Sequence, residues 1–150
     1  MNCRDSQPTI LVVEDDDSLR GLVIRMLNQG GCATFAAGKA ADGLALVRQR
    51  QGAFDLAIID MVMPEMSGLD LATDLDREYP ELKILYMSGY VNSLAADVLS
   101  RRSPGQVLLK PFSQQALLER VRLLLETPPR RAPGRESPSP VADSGSGTQG

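Results

Sequence analysis

Short, continuous apolar runs alternate along the chain with longer stretches in which apolar residues recur every three or four positions. Ile10-Leu11-Val12-Val13 is an unbroken run of the kind that forms a strand buried on both faces. Acids follow it. Leu19, Leu22, Val23, Met26 and Leu27 then recur at helical spacing, until Gly30-Gly31 ends the pattern. Cys32 to Ala37 reads as a second, weaker strand, and Ala40 to Arg50 as a helix carried by Ala41, Leu44 and Val47. Phe54 to Ile59 is a third strand, with Asp60 just past it. Leu69, Leu71, Ala72 and Leu75 mark a third helix ahead of Tyr79-Pro80. Lys83 to Met87 is a fourth strand leading into Ser88, and Leu94 to Leu99 is a short helix. Gln106 to Leu109 is a fifth strand leading into Lys110-Pro111. The last helix spans Ser113 to Leu125, with Ser113 as N-cap and Leu117, Leu118, Val121, Leu124 and Leu125 as its apolar face.

Five strand–helix units in strict alternation predict an α/β sandwich around a parallel sheet. In such folds ligands sit outside the carboxyl ends of the strands. That rule brings Glu14, Asp15 and Asp16, then Asp60, Ser88 and Lys110, to one edge of the sheet. The outer parts of the chain are different. Residues 1–8 are polar and read as a disordered leader. Residues 127–150 are rich in Pro, Ser and Gly and read as a disordered tail, with no room for a folded output domain. One domain over residues 9–126 is what a chain of 150 residues accommodates.

Composition narrows the function classes. No apolar run reaches the roughly 18 residues of a membrane span, and the first ten residues contain no apolar signal core. Two cysteines, Cys3 and Cys32, do not make a disulfide framework, which fits a reducing cytoplasm. Residues 1–126 hold 13 Lys and Arg against 17 Asp and Glu, a balance of −4. An acidic domain without a basic face carries no electrostatic footprint for nucleic acid. There is no histidine, so His-based catalysis and His metal ligands are out.

The chemistry at the predicted edge follows from its residue types. Three neighbouring carboxylates repel one another, and a divalent cation such as Mg²⁺, which prefers hard oxygen ligands, relieves this. A carboxylate beside such a site can act as a nucleophile on phosphorus. The metaphosphate-like transition state spreads charge over three oxygens, and a cation, a lysine and a hydroxyl would neutralise it. Asp60, the acidic pair, Lys110 and Ser88 supply those parts. Asp16 and Asp17 read instead as charges at a helix N-terminus, one of them the N-cap. Met61, Met63, Met66 and Met87 read as packing residues, and Arg101-Arg102 as a solvated helix end.

Over residues 9–126 the chain resembles the receiver domain of two-component response regulators. The motifs ILVVEDD, DLAIIDMVMPEMSG, ILYMSGY and LLKPF stand in that family's order and spacing. The resemblance implies a flavodoxin-like (βα)5 three-layer sandwich with a five-stranded parallel sheet in the order 2-1-3-4-5. It implies that Asp60 accepts a phosphoryl group from a phosphohistidine on a histidine kinase or phosphotransfer protein. Mg²⁺ would be held by Glu14, Asp15, Asp60 and the backbone carbonyl of Val62. Ser88 would bind the phosphoryl group and carry the switch, and Lys110 would pair with a phosphoryl oxygen ahead of a cis bond to Pro111. Met63-Pro64 and Gly68 match the loop after the phosphoacceptor. The protein would not be an enzyme beyond its own phosphorylation and dephosphorylation at Asp60. Its output would be a downstream protein contacting the face made by the helix over 94–99, the fifth strand and the last helix, with no direct nucleic-acid or membrane partner.

Three departures stand out. Glu14 replaces the commoner Asp and could reach a metal through water. Ser88 replaces the commoner Thr. Val107 stands where the family usually carries an aromatic, which calls its aromatic switch into question; Tyr90 is a candidate substitute. The context is expected to be a stand-alone regulator, since Met1 is present and no kinase core is, although Met87-Ser88-Gly89-Tyr90 and the trailing tail resemble receivers at the C-terminus of hybrid sensor kinases. Two other function classes fit the sequence less well. A haloacid-dehalogenase-type phosphatase needs a second Asp two residues after its nucleophile, where this chain has Val62. A phosphorylation-independent binding module has no need of the complete acid–serine–lysine set.

Overall fold

A computed structural model of the protein describes residues 7–63, 67–89 and 106–126. Five strands and four helices follow in order among them. They are β1 (Thr9–Val13), α1 (Asp17–Gln29), β2 (Ala33–Ala37), α2 (Ala40–Gln49), β3 (Leu56–Asp60), α3 (Gly68–Glu78), β4 (Lys83–Ser88), β5 (Val107–Leu109) and α4 (Gln114–Glu126). The strands form one parallel sheet in the order β2-β1-β3-β4-β5. The fold is the parallel α/β sandwich that the alternating pattern predicts, with the flavodoxin-like strand order that the resemblance implies. The helix predicted over 94–99, Tyr90, Met66 and the Arg101-Arg102 pair lie outside the described residues.

The two faces of the sheet follow from side-chain alternation. Ile10 and Val12 point to one side, with Leu56, Ile58, Leu85 and Met87, and meet Val23 and Leu27 of α1 and Leu117 and Val121 of α4. Leu11, Val13, Ala57, Ile59, Ile84 and Tyr86 point to the other and meet Val47 of α2 and Leu71 and Leu75 of α3. The central strands β1 and β3 are therefore apolar at consecutive positions because both faces are covered.

Local chemistry sets the helix ends. The Asp16 carboxylate accepts from the Leu19 N–H, Ser67 from Asp70 and Ser113 from Ala116, each satisfying an otherwise unpaired donor in a first turn. At the end of α1 the two glycines do different work. Gly31 takes a left-handed conformation with φ of 92°. Gly30 makes room for α4, since a Cβ there would lie 2.5 Å from Leu118 Cδ2.

The strand bounds shift at both ends of β3 and at the end of β4. β3 starts at Leu56, not Phe54. The Phe54 N–H bonds the Gly52 carbonyl in a turn, while the Phe54 ring packs edge-on against Phe35 beneath the Arg50 guanidinium. At its other end the strand includes Asp60, and β4 likewise includes Ser88. Both polar residues are thus held by the sheet ladder itself. Cys32 precedes β2 and is buried in the core. Met61, Met63 and Met87 are buried, as packing residues should be.

Candidate functional site

The carboxyl ends of β1, β3, β4 and β5 converge on one edge. Glu14, one residue past β1, is 1% exposed, and Asp60, the last residue of β3, is 5% exposed. Asp15 is exposed beside them. One oxygen from each of these three carboxylates lies within 4.8 Å of the others. Lys110, one residue past β5, reaches into the cluster. Its ammonium donates to Glu14 Oε1 at 3.2 Å and stands 3.4 Å from Asp60 Oδ1. Its backbone is tied to the end of β4, where the Lys110 N–H donates to the Ser88 carbonyl at 2.7 Å. The Lys110–Pro111 peptide bond is cis.

Each acid has a local reason for its position. The Glu14 N–H donates to the Ala37 carbonyl at 3.1 Å, so the chain leaves β1 still tied to β2. The Asp16 N–H donates to Glu14 Oε2 at 3.1 Å, and the Arg20 guanidinium donates to the Glu14 carbonyl at 2.8 Å. At Asp60, the Val62 N–H donates to Oδ1 at 3.2 Å, the oxygen that also faces Lys110. One backbone hydrogen bond and one ion pair on the same oxygen orient the carboxylate. At the start of α3 the Gly68 N–H donates to the Met61 carbonyl at 3.0 Å. A Cβ at Gly68 would lie 2.1 Å from the Asp60 carbonyl oxygen, so only glycine permits this approach.

Burial and mutual repulsion shape the electrostatics. Loss of hydration is the largest influence on Glu14 and pushes its carboxyl up to about 7, reinforced by the charge of Asp60. The Asp16 N–H and Lys110 oppose that rise without cancelling it. Burial works against the charge on Lys110, but Asp60 and Glu14 outweigh it and hold the ammonium above its ordinary value. One ammonium cannot balance three carboxylates. The residual charge, the all-oxygen donor set and the close spacing suit a hard divalent cation such as Mg²⁺.

The predicted residues Glu14, Asp15, Asp60 and Lys110 are therefore brought together. Ser88 sits at the end of β4, 2% exposed, with Met87 beside it in register with Asp60. Val62 contributes its N–H to Asp60, and the residue is 57% exposed. Asp16 is the N-cap of α1, and Asp17 lies in the first turn, apart from the acid cluster. Val107 is half-buried, packed against the core and paired with Tyr86 of β4. Arg20 escaped the sequence reading. Its partner is a backbone carbonyl six residues back, and only the Asp17–Arg20 pairing at helical spacing hinted at it.

Comparison with known proteins agrees with this geometry. Residues 10–122 match the response regulator receiver domain. The sensor kinase CckA of Brucella abortus is 34% identical over 122 residues, which cover 79% of this chain but 12% of that protein. The NtrC transcriptional regulator of Azospirillum brasilense is 34% identical, with 27% of its length covered. The chain thus spans a small part of those two relatives. It covers 95% of the receiver protein CpdR of Brucella abortus, at 29% identity over 116 residues. A CheY-like receiver domain structure from Methanospirillum hungatei superposes with a TM-score of 0.71 at 29% identity, covering 80% of this chain and 94% of that one. With the parallel sheet and the acid–lysine edge already in place, these matches establish that the chain belongs to the response regulator receiver domain family.

Proposed function

We propose that Asp60 is the phosphoacceptor, and that its phosphorylation by a phosphohistidine on a histidine kinase or phosphotransfer protein switches a protein-binding face. The observation that carries this reading is the clustering of Glu14, Asp15 and Asp60 at the strand ends, with the Lys110 ammonium against Glu14 and Asp60. A carboxylate oxygen of Asp60 forms the new bond to phosphorus as the phosphorus–nitrogen bond of the donor breaks. The imidazole leaves with the electron pair and is reprotonated by solvent. Lys110 offsets charge on a phosphoryl oxygen, and the Ser88 hydroxyl donates to another.

Glu14, Asp15, Asp60 and the Val62 carbonyl would hold Mg²⁺, which when bound supplies charge neutralisation between the acids and the incoming phosphoryl group. The chain's own contribution is to keep Asp60 oriented and close to Lys110. Engagement of Ser88 by the phosphoryl group would favour one conformer of the adjoining surface, which includes β5 and α4, through contacts that only this conformer makes. Residues 9–126 form the receiver, and the remainder of the chain serves as flanking segments. No helix among the described residues is long and apolar enough to cross a membrane.

Intact-mass measurement after incubation with acetyl phosphate tests this reading. The wild type should gain one phosphoryl group with Mg²⁺ and none with EDTA, and Asp60→Ala should gain none. An equal gain in Asp60→Ala would overturn it.

A further inference from the structure

Arg20 lies on the first turns of α1, away from the acid cluster, yet it clamps the backbone that carries the cluster. One guanidinium nitrogen donates to the Glu14 carbonyl at 2.8 Å, and another donates to the Asp17 carboxylate at 2.6 Å. The two contacts bracket the segment from Glu14 to Asp17, which contains two of the three predicted metal-binding acids, Glu14 and Asp15. The same guanidinium lies against Gly38 in the turn after β2, where a Cβ would stand 3.1 Å from Nη1. Arg20 is 22% exposed and Asp17 90% exposed, so the guanidinium is held between the two turns while its carboxylate partner sits at the surface. A bidentate, planar donor suits this bridging role in a way that a lysine ammonium does not.

We infer that Arg20 is a positioning residue for the divalent-cation site, acting through the Glu14 backbone to keep the Glu14 and Asp15 carboxylates aimed at Asp60. The inference rests on the cation-binding reading of the acid cluster. Outer partners that orient ligating groups typically alter metal affinity by about 10–100-fold when removed.

Charge and positioning pull in opposite directions here, which makes the inference decidable. Removing a cation near an acidic site should, by electrostatics alone, tighten the binding of another cation. Removing a clamp should weaken it. The test is Mg²⁺ titration of the unphosphorylated full-length protein by calorimetry, on wild type, Arg20→Ala and Arg20→Lys, with thermal unfolding in EDTA as a check on folding. We expect Arg20→Ala to bind Mg²⁺ about 10-fold more weakly than wild type. Arg20→Lys, which keeps the charge but cannot make both hydrogen bonds, should fall between the two. Equal or tighter binding by Arg20→Ala would overturn the inference. If Arg20→Ala does not fold, Arg20→Lys decides: weaker binding supports the clamp, and wild-type binding refutes it. If wild type itself binds no Mg²⁺, the cation-binding reading fails first, and with it the inference built on it.

Discussion

Replacing Glu14 with Gln should make the metal-free protein more stable at pH 8 and leave it unchanged at pH 4. The Glu14 carboxyl is 1% exposed and stands beside Asp60, and it titrates near 7 in the folded protein against 4.5 for a free side chain. Between those values the folded state keeps a proton that the unfolded state has released. Stability from this group therefore falls as pH rises from about 4.5 to about 7, and is flat on either side. At about 1.4 kcal/mol per pH unit the loss comes to about 3 kcal/mol. Gln mimics the protonated acid and cannot ionise, so the variant escapes the loss. Urea unfolding in EDTA, followed by far-UV circular dichroism because the chain has no Trp, gives the difference between the two proteins at each pH. Other titrating groups largely cancel in that difference. It should grow from near zero at pH 4 to about 3 kcal/mol at pH 8. A difference that is constant with pH, or a variant that is less stable at pH 8, would refute the reasoning. Mg²⁺ should reverse the order at pH 8, because a cation that binds the ionised carboxylate stabilises the wild type selectively.

Other outcomes follow from particular contacts. Gly68→Ala forces a methyl against the Asp60 carbonyl and should cost about 1–3 kcal/mol in urea unfolding; wild-type stability would contradict the tight approach. Ile58→Ala, at a fully buried position of β3, should cost about 2–5 kcal/mol, and a loss below about 1 kcal/mol would mean the core reseals around it. The phosphoryl group should be long-lived, because Val62 beside Asp60 offers neither carboxylate nor amide to orient an attacking water. Loss of label with a half-life of seconds would contradict this.

Much of the architecture was legible because its cause is local. Ile10 to Val13 and Leu56 to Ile59 are apolar at every position, which is what a strand covered on both faces requires. Ser113 capped its helix as read, and Gly30-Gly31 ended α1. The acid cluster was legible because a strand end is a topological position that sequence order nearly determines. Contacts that depend on tertiary approach were hidden. Phe54 looks like a strand residue by type, but its ring is drawn to Phe35 and Arg50 while its N–H closes a turn. Gly68 matched a motif, yet its need to be glycine comes from a carbonyl eight residues away. The role of Arg20 was hidden, because its spacing from Asp17 points to a helical ion pair and not to a main-chain oxygen.

The most direct test of the central claim is to locate the phosphoryl group. After reaction with acetyl phosphate and Mg²⁺, borohydride reduction converts an acyl phosphate to the corresponding alcohol, which tandem mass spectrometry assigns to a residue. The account predicts conversion of Asp60 alone, with Glu14 and Asp15 unchanged. Conversion at either of those acids, or a phosphorylated protein with Asp60 intact, would contradict it.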